Sequence, residues 1–215
     1  LITEYKGLEY RIWAPISEIP KTIQNALIAT EDVRFYAHDG LDYKRLAGAF
    51  INNLRNEAVQ GGSTITQQLI KNTLLSPEQT YKRKIQEAYL SIQLEQEYEK
   101  DEILEAYLNT IYLGGGNYGI KAAAENYFGK ELHELTLRES AALVGITKNP
   151  YRYDLRLNFY SREKPEVSYS RTNLLIKQHM KKPNLMIKIQ TARKMKALLC
   201  WKNPITNSFI NILTL

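Results

Sequence analysis

Between residues 61 and 72 the chain reads Gly61-Gly62-Ser63-Thr64-Ile65-Thr66-Gln67-Gln68-Leu69-Ile70-Lys71-Asn72. Two glycines give a flexible backbone just ahead of a helix, and Ser63 or Thr64 is placed to cap its free amides. Thr64, Gln68 and Lys71 then recur at i, i+4 and i+7, so one helical face carries a hydroxyl, an amide and a cation. Ile65 and Leu69 point elsewhere and can pack against a core. A face that is merely wet would be richer in Glu and Lys. Hydroxyls and carboxamides ending in a cation suit a ligand that is rich in oxygen and carries negative charge.

Two carboxylates stand out by their neighbours. Glu31 and Asp32 end an apolar helix, where acidic side chains oppose the macrodipole and need a reason to stand. The segment continues through Phe35 and His38 to Gly40, and His38 reads as a structural hydrogen-bonder. Glu87 follows Arg83 by one helical turn and Lys84 by three residues. The bland reading of that trio is an exposed ion-pair ladder, worth about 0.5 kcal/mol per pair. The chemical reading is a diphosphate clamp, with Arg as a planar fork and Lys as a point charge. A glycosidase also needs two carboxyls, but its acid must keep a proton in an apolar pocket. Glu87 between two cations suits a carboxylate instead. A transferase acting on a sugar diphosphate needs one carboxylate base and cations for the leaving group, so the charge pattern favours transfer over hydrolysis.

These residues must be positioned by helices. Ser17-Glu-Ile-Pro20 predicts a helix start with Ser17 as cap, and Ile23, Ala26 and Leu27 give a stripe running into Glu31. A loop follows to Gly40. Leu41 to Arg55 predicts a second helix with Leu46, Ala49, Phe50 and Leu54 inward, and the comb helix runs to about Leu75. Pro77 opens a long helix to about Tyr98, with Ile85, Ala88, Tyr89, Ile92 and Leu94 as candidates for burial. Lys100 to Tyr112 is another, with Ile103, Leu104, Tyr107, Leu108 and Ile111 on its apolar side. Gly114-Gly115-Gly116 is a turn, not a phosphate loop, because no strand precedes it and no Gly-Lys-Ser/Thr follows. Tyr118 to Phe128 is short and Ala-rich, and Thr136-Leu-Arg-Glu139 is a capping box opening a helix to Thr147. Strand alternation is nearly absent, so the fold class is all-α.

The 215 residues are enough for one or two compact lobes. Cys200, the one cysteine, excludes an internal disulfide and a thiolate metal cluster. No run of about 18 apolar residues is present to span a membrane. The chain starts at Leu1 without Met, and we expect sequence upstream. The net charge of +6 is uneven: residues 1–150 carry −4 and residues 151–215 carry +10. A basic tail favours anionic partners, but no nucleic-acid reading motif accompanies it, and no nucleic-acid partner is expected.

Five stretches in order resemble the peptidoglycan glycosyltransferase domain of class A penicillin-binding proteins and their monofunctional relatives. They are Glu31-Asp32…Phe35…His38-Asp-Gly40; Gly61 to Asn72; Arg83-Lys84…Glu87; Lys100…Ile103-Leu104-Glu105…Tyr107-Leu108-Asn109; and Ala141-Ala142-Leu143…Asn149-Pro150. The resemblance implies a lysozyme-like helical fold with a larger head lobe and a smaller mobile jaw, roughly residues 39–75, near the membrane. It implies lipid II as donor and acceptor, and the growing glycan strand as product. Glu31 is implied as the base for the acceptor hydroxyl, with Glu87 orienting the cations or helping to bind a metal. Arg83, Lys84 and Lys71 would hold the diphosphate. Ser63, Thr64, Gln68 and Asn72 would position the donor, while Asp32, Phe35, His38 and Gly40 would support the site. The resemblance also implies magnesium or manganese, the outer face of the bacterial cytoplasmic membrane, and unidentified cell-wall synthesis partners.

The domain is expected to cover residues 1–180, with Arg171 to Met180 as its closing helix and 181–215 as a basic tail that matches nothing. The family's membrane helix and its transpeptidase domain are not in the chain. Ser161-Arg-Glu-Lys164 matches the Ser-x-x-Lys pattern of that second domain by chance, having no Lys-Thr-Gly after it. The rival readings are a lysozyme-like hydrolase or lytic enzyme, and an inactive wall-binding fragment.

Overall fold

The computed structural model describes residues 9–54 and 61–155. The closing helix, Ser161, Lys164, Cys200 and the basic tail lie outside the described residues, as do the side chains of Phe50 and Leu54. Among the described residues seven α-helices dominate: α1 (Lys21–Glu31), α2 (Tyr43–Leu54), α3 (Ile65–Thr73), α4 (Tyr81–Glu97), α5 (Lys100–Thr110), α6 (Ile120–Phe128) and α7 (Leu137–Ile146). The fold is all-α. Two short strands, β1 (Tyr10–Arg11) and β2 (Asn117–Tyr118), pair in parallel, Tyr10 with Asn117 and Arg11 with Tyr118.

The core forms where apolar stripes of several helices meet. Ile23, Leu27 and Ile28 of α1 join Ile103, Leu104, Tyr107 and Leu108 of α5 and Leu143, Val144 and Ile146 of α7. Ile65 and Leu69 of α3 belong to the same core, as the comb's spacing requires. Helix α3 packs on both α4 and α5, and α1 packs on α7.

Helix starts follow side-chain chemistry more closely than the sequence spacing suggested. Pro20, not Ser17, is the N-cap of α1; its fixed φ sets the entry and it offers no capping oxygen. Gln24 is buried and donates from Nε2 to the carbonyls of Ile16 and Ile19, anchoring the segment before the helix. Helix α4 begins at Tyr81 rather than Pro77, because Thr80 accepts the amide of Arg83 as a true N-cap. Thr64 and Thr136 both form complete capping boxes, with Gln67 and Glu139. The three glycines at 114–116 make a turn at positive φ.

One burial expectation fails. Ile85 and Tyr89 are 71% and 61% exposed, and the buried residues of α4 are Glu87 and Ser91. The helix turns its polar face inward because Gly40 and the start of α3 meet it there. A Cβ on Gly40 would lie 2.7 Å from the Ser91 carbonyl oxygen and 2.8 Å from the Ile92 nitrogen. Only glycine, at φ +88, allows that approach.

Candidate active site

Glu31 is the last residue of α1 and is half-buried. Its Oε2 accepts a 3.1 Å hydrogen bond from Nε2 of Gln68 on α3. Its Oε1 accepts one of 3.1 Å from the hydroxyl of Thr147, just after α7. The backbone carbonyl of Glu31 accepts from the Arg45 guanidinium on α2. Gln68 of α3 and Thr147 at the end of α7 therefore hold the carboxylate, and Arg45 of α2 holds its backbone.

Gln68 is itself held. The Tyr107 hydroxyl donates to Gln68 Oε1 at 3.1 Å, which leaves the amide nitrogen for Glu31. Burial first, and the charge of Glu31 second, push the Tyr107 phenol well above its ordinary value, so it stays a donor.

Asp32 explains the acidic pair at the end of α1. It is fully buried, and Oδ2 accepts the Ile65 amide, the first of α3, at 3.1 Å. The unfavourable C-terminus of α1 is offset by the favourable N-terminus of α3. Nε2 of His38 lies 3.0 Å from the same oxygen, and against a carboxylate it must be the donor. His38 Nδ1 faces Glu95 at 4.0 Å. Glu95 in turn accepts from the Thr66 hydroxyl and pairs with Lys100 at 2.5 Å. Lys100 is buried, with its ammonium 4.4 Å from the centroid of the Phe35 ring. This ion network ties the loop after α1, α3, α4 and α5 into one support behind Glu31.

The cations lie at the other end of the comb. Glu87 is 1% exposed, pairing with Arg83 at 3.2 Å and with the Lys84 ammonium. Lys84 also donates to the Ser63 hydroxyl at 3.0 Å. A buried carboxylate is thus the anchor of two cations, which is not the arrangement of an exposed ladder. Glu31 grips Gln68, and Lys84 grips Ser63, on the same segment. Ser63 stands just before α3 and Gln68 in its first turn, so the two grips fall on neighbouring stretches of one segment.

The remaining comb residues separate. Lys71 and Asn72 are exposed on the turn after Gln68. Thr64 is fully buried: its hydroxyl donates to the Gly40 carbonyl at 2.7 Å and accepts the Gln67 amide at 3.1 Å. Thr64 supports the site and does not line it, because both functions of its hydroxyl are used within the protein. Beneath α2, Asp42 accepts from Arg34 and from the Arg45 amide. Burial pushes its carboxyl up, but the Arg34 hydrogen bond and charge and the Arg45 amide outweigh that and hold it below the usual carboxylate range.

Among the described residues no group of three or more His, Cys, Asp or Glu side chains is placed to hold a metal ion. Both oxygens of Glu87 are engaged by cations, so this donor set does not fit a metal held by side chains alone.

Tyr107, Thr147, Arg45 and Glu95 carry no site role in the sequence reading. Tyr107 sits in an apolar stripe and in the fourth family stretch; the signal for its contact is a phenol in that stripe, which must find a partner. Thr147 gives none, since it meets Glu31 across 116 residues of chain.

A helical domain that joins one half-buried glutamate of α1 and a cation pair of α4 through one shared segment has the equipment for glycosyl transfer. The transglycosylase family model matches residues 1–180, and the chain belongs to that family. It is 44% identical over 208 residues to penicillin-binding protein 1A of Clostridium tetani, covering 94% of this chain and 26% of the relative. Penicillin-binding protein 2D of Bacillus subtilis is 52% identical over 151 residues, covering 70% of this chain and 22% of its own. Penicillin-binding protein 1A/1B of the same organism is 46% identical over 172 residues, or 79% and 18%. The chain therefore spans about a quarter or less of the length of these relatives.

Proposed function

We propose that this chain is a peptidoglycan glycosyltransferase domain that polymerises lipid II into β-1,4 glycan strands. The observation that carries the reading is that one segment holds Glu31, through Gln68 of α3, and the Lys84–Glu87–Arg83 group, through Ser63 just before α3.

Glu31 takes the proton from the 4-hydroxyl of the acceptor GlcNAc. That oxygen bonds to the anomeric carbon of the donor MurNAc as the bond to the diphosphate breaks, with inversion. The electron pair leaves with undecaprenyl diphosphate, whose charge meets Arg83, Lys84 and Lys71. Ser63, Gln68 and Asn72 position the donor. A divalent ion is proposed only as a companion of the substrate's own diphosphate.

The donor's lipid tail requires a membrane surface, on the outer face of the cytoplasmic membrane. Tyr81, Ile85 and Tyr89 form an i, i+4, i+8 stripe on α4 that is 92%, 71% and 61% exposed, and Leu74 at the end of α3 is 66% exposed. This apolar face beside the cations supports contact with lipid. No helix among the described residues is long and apolar enough to cross a membrane.

Lipid II polymerisation by Glu31→Gln is the test. Loss of a general base predicts a rate lowered about 10²–10⁴-fold, with donor affinity retained. Substantial turnover by the variant reassigns the base. Wild-type protein that binds lipid II without making polymer is an inactive binding fragment, and soluble fragments released from sacculi point to a lytic enzyme.

A further inference from the structure

Thr147 has one proton and two acceptors. Its hydroxyl lies 3.1 Å from Glu31 Oε1 and 2.8 Å from the backbone carbonyl of Val144, one turn back in α7. The other side-chain partner of Glu31 has no such choice. Gln68 presents Nε2, a donor only, because the Tyr107 hydroxyl occupies its oxygen.

We infer that Thr147 is a positioning residue that serves both protonation states of Glu31. The inference rests on the assignment of Glu31 as the base. While Glu31 is a carboxylate, Thr147 donates to Oε1, and a second lone pair on that oxygen remains for a substrate hydroxyl. After Glu31 has taken the acceptor's proton, the new carboxyl O–H needs an acceptor, and Gln68 Nε2 cannot be one. Thr147 then turns its own proton to the Val144 carbonyl and accepts from Glu31 through Oγ. No bond other than hydrogen bonds changes at Thr147. The carboxyl group keeps two partners before and after proton transfer, so neither state is left with an unmet polar group in a half-buried site.

Thr147→Val keeps the shape and removes the hydroxyl, while Thr147→Ser keeps the hydroxyl. Initial rates of lipid II polymerisation should show kcat reduced at least tenfold in Thr147→Val, with KM within about twofold of wild type and kcat restored by Thr147→Ser. Circular dichroism and thermal unfolding of both variants monitor the fold. If Glu31→Gln is inactive but Thr147→Val retains wild-type kcat, this inference fails while the base assignment stands. If Glu31→Gln is active, the assignment itself fails. Equal losses in the Val and Ser variants also overturn the two-state role.

Discussion

Tyr107 acts on Glu31 without touching it. It is a core residue by position, 0% exposed, yet its hydroxyl decides which end of Gln68 faces Glu31. Its phenol is pushed above the ordinary value of 10.0, by burial and by Glu31. A raised folded value means the neutral form contributes stability fully below pH 10 and loses it as pH rises from there towards the folded value. Tyr107→Phe should therefore cost about 1 kcal/mol at neutral pH, by leaving Gln68 without its donor. The difference from wild type in urea unfolding should shrink above pH 10. A gap that stays constant with pH would mean that the phenol does not titrate with unfolding. The sequence makes the 31, 68 and 83–87 residues legible because their types are unusual for their places. It hides Tyr107 and Thr147, whose roles depend on partners 39 and 116 residues away.

Helices show the same division. Stripes and capping boxes predict α1, α5, α6 and α7 to within a turn, since local chemistry decides those ends. Helix α4 is misread because periodicity shows that a face is apolar, not which neighbour it meets. The buried side carries Glu87 and Ser91. Its neighbour is the Gly40 backbone, which no pattern of side chains in α4 can announce. Gly40→Ala is the direct test. A Cβ at 2.7 Å from a backbone oxygen, on a residue at φ +88, should destabilise the protein by roughly 2–4 kcal/mol in chemical denaturation. A change under about 0.5 kcal/mol would show that the Gly40 loop and α4 separate easily, and would remove this contact as the cause of the inverted face.

At the scale of the molecule, chemistry and surface lie on one helix. Helix α4 carries Arg83, Lys84 and Glu87 toward α3, while Tyr81, Ile85 and Tyr89 face outward. Replacing all three with Ser should lower binding to phospholipid vesicles in flotation at least tenfold. Polymerisation of a soluble, short-chain donor should be nearly unchanged. Vesicle binding equal to wild type would place the lipid-facing surface elsewhere.

The reach from Glu31 to Thr147 has a consequence for synthesis. The glutamate is made early and its hydroxyl partner 116 residues later, so in a nascent chain Glu31 lacks one of its holders until α7 has docked on α1. Chain emerging from the ribosome thus completes the hold on Glu31 only at the end of its described helices.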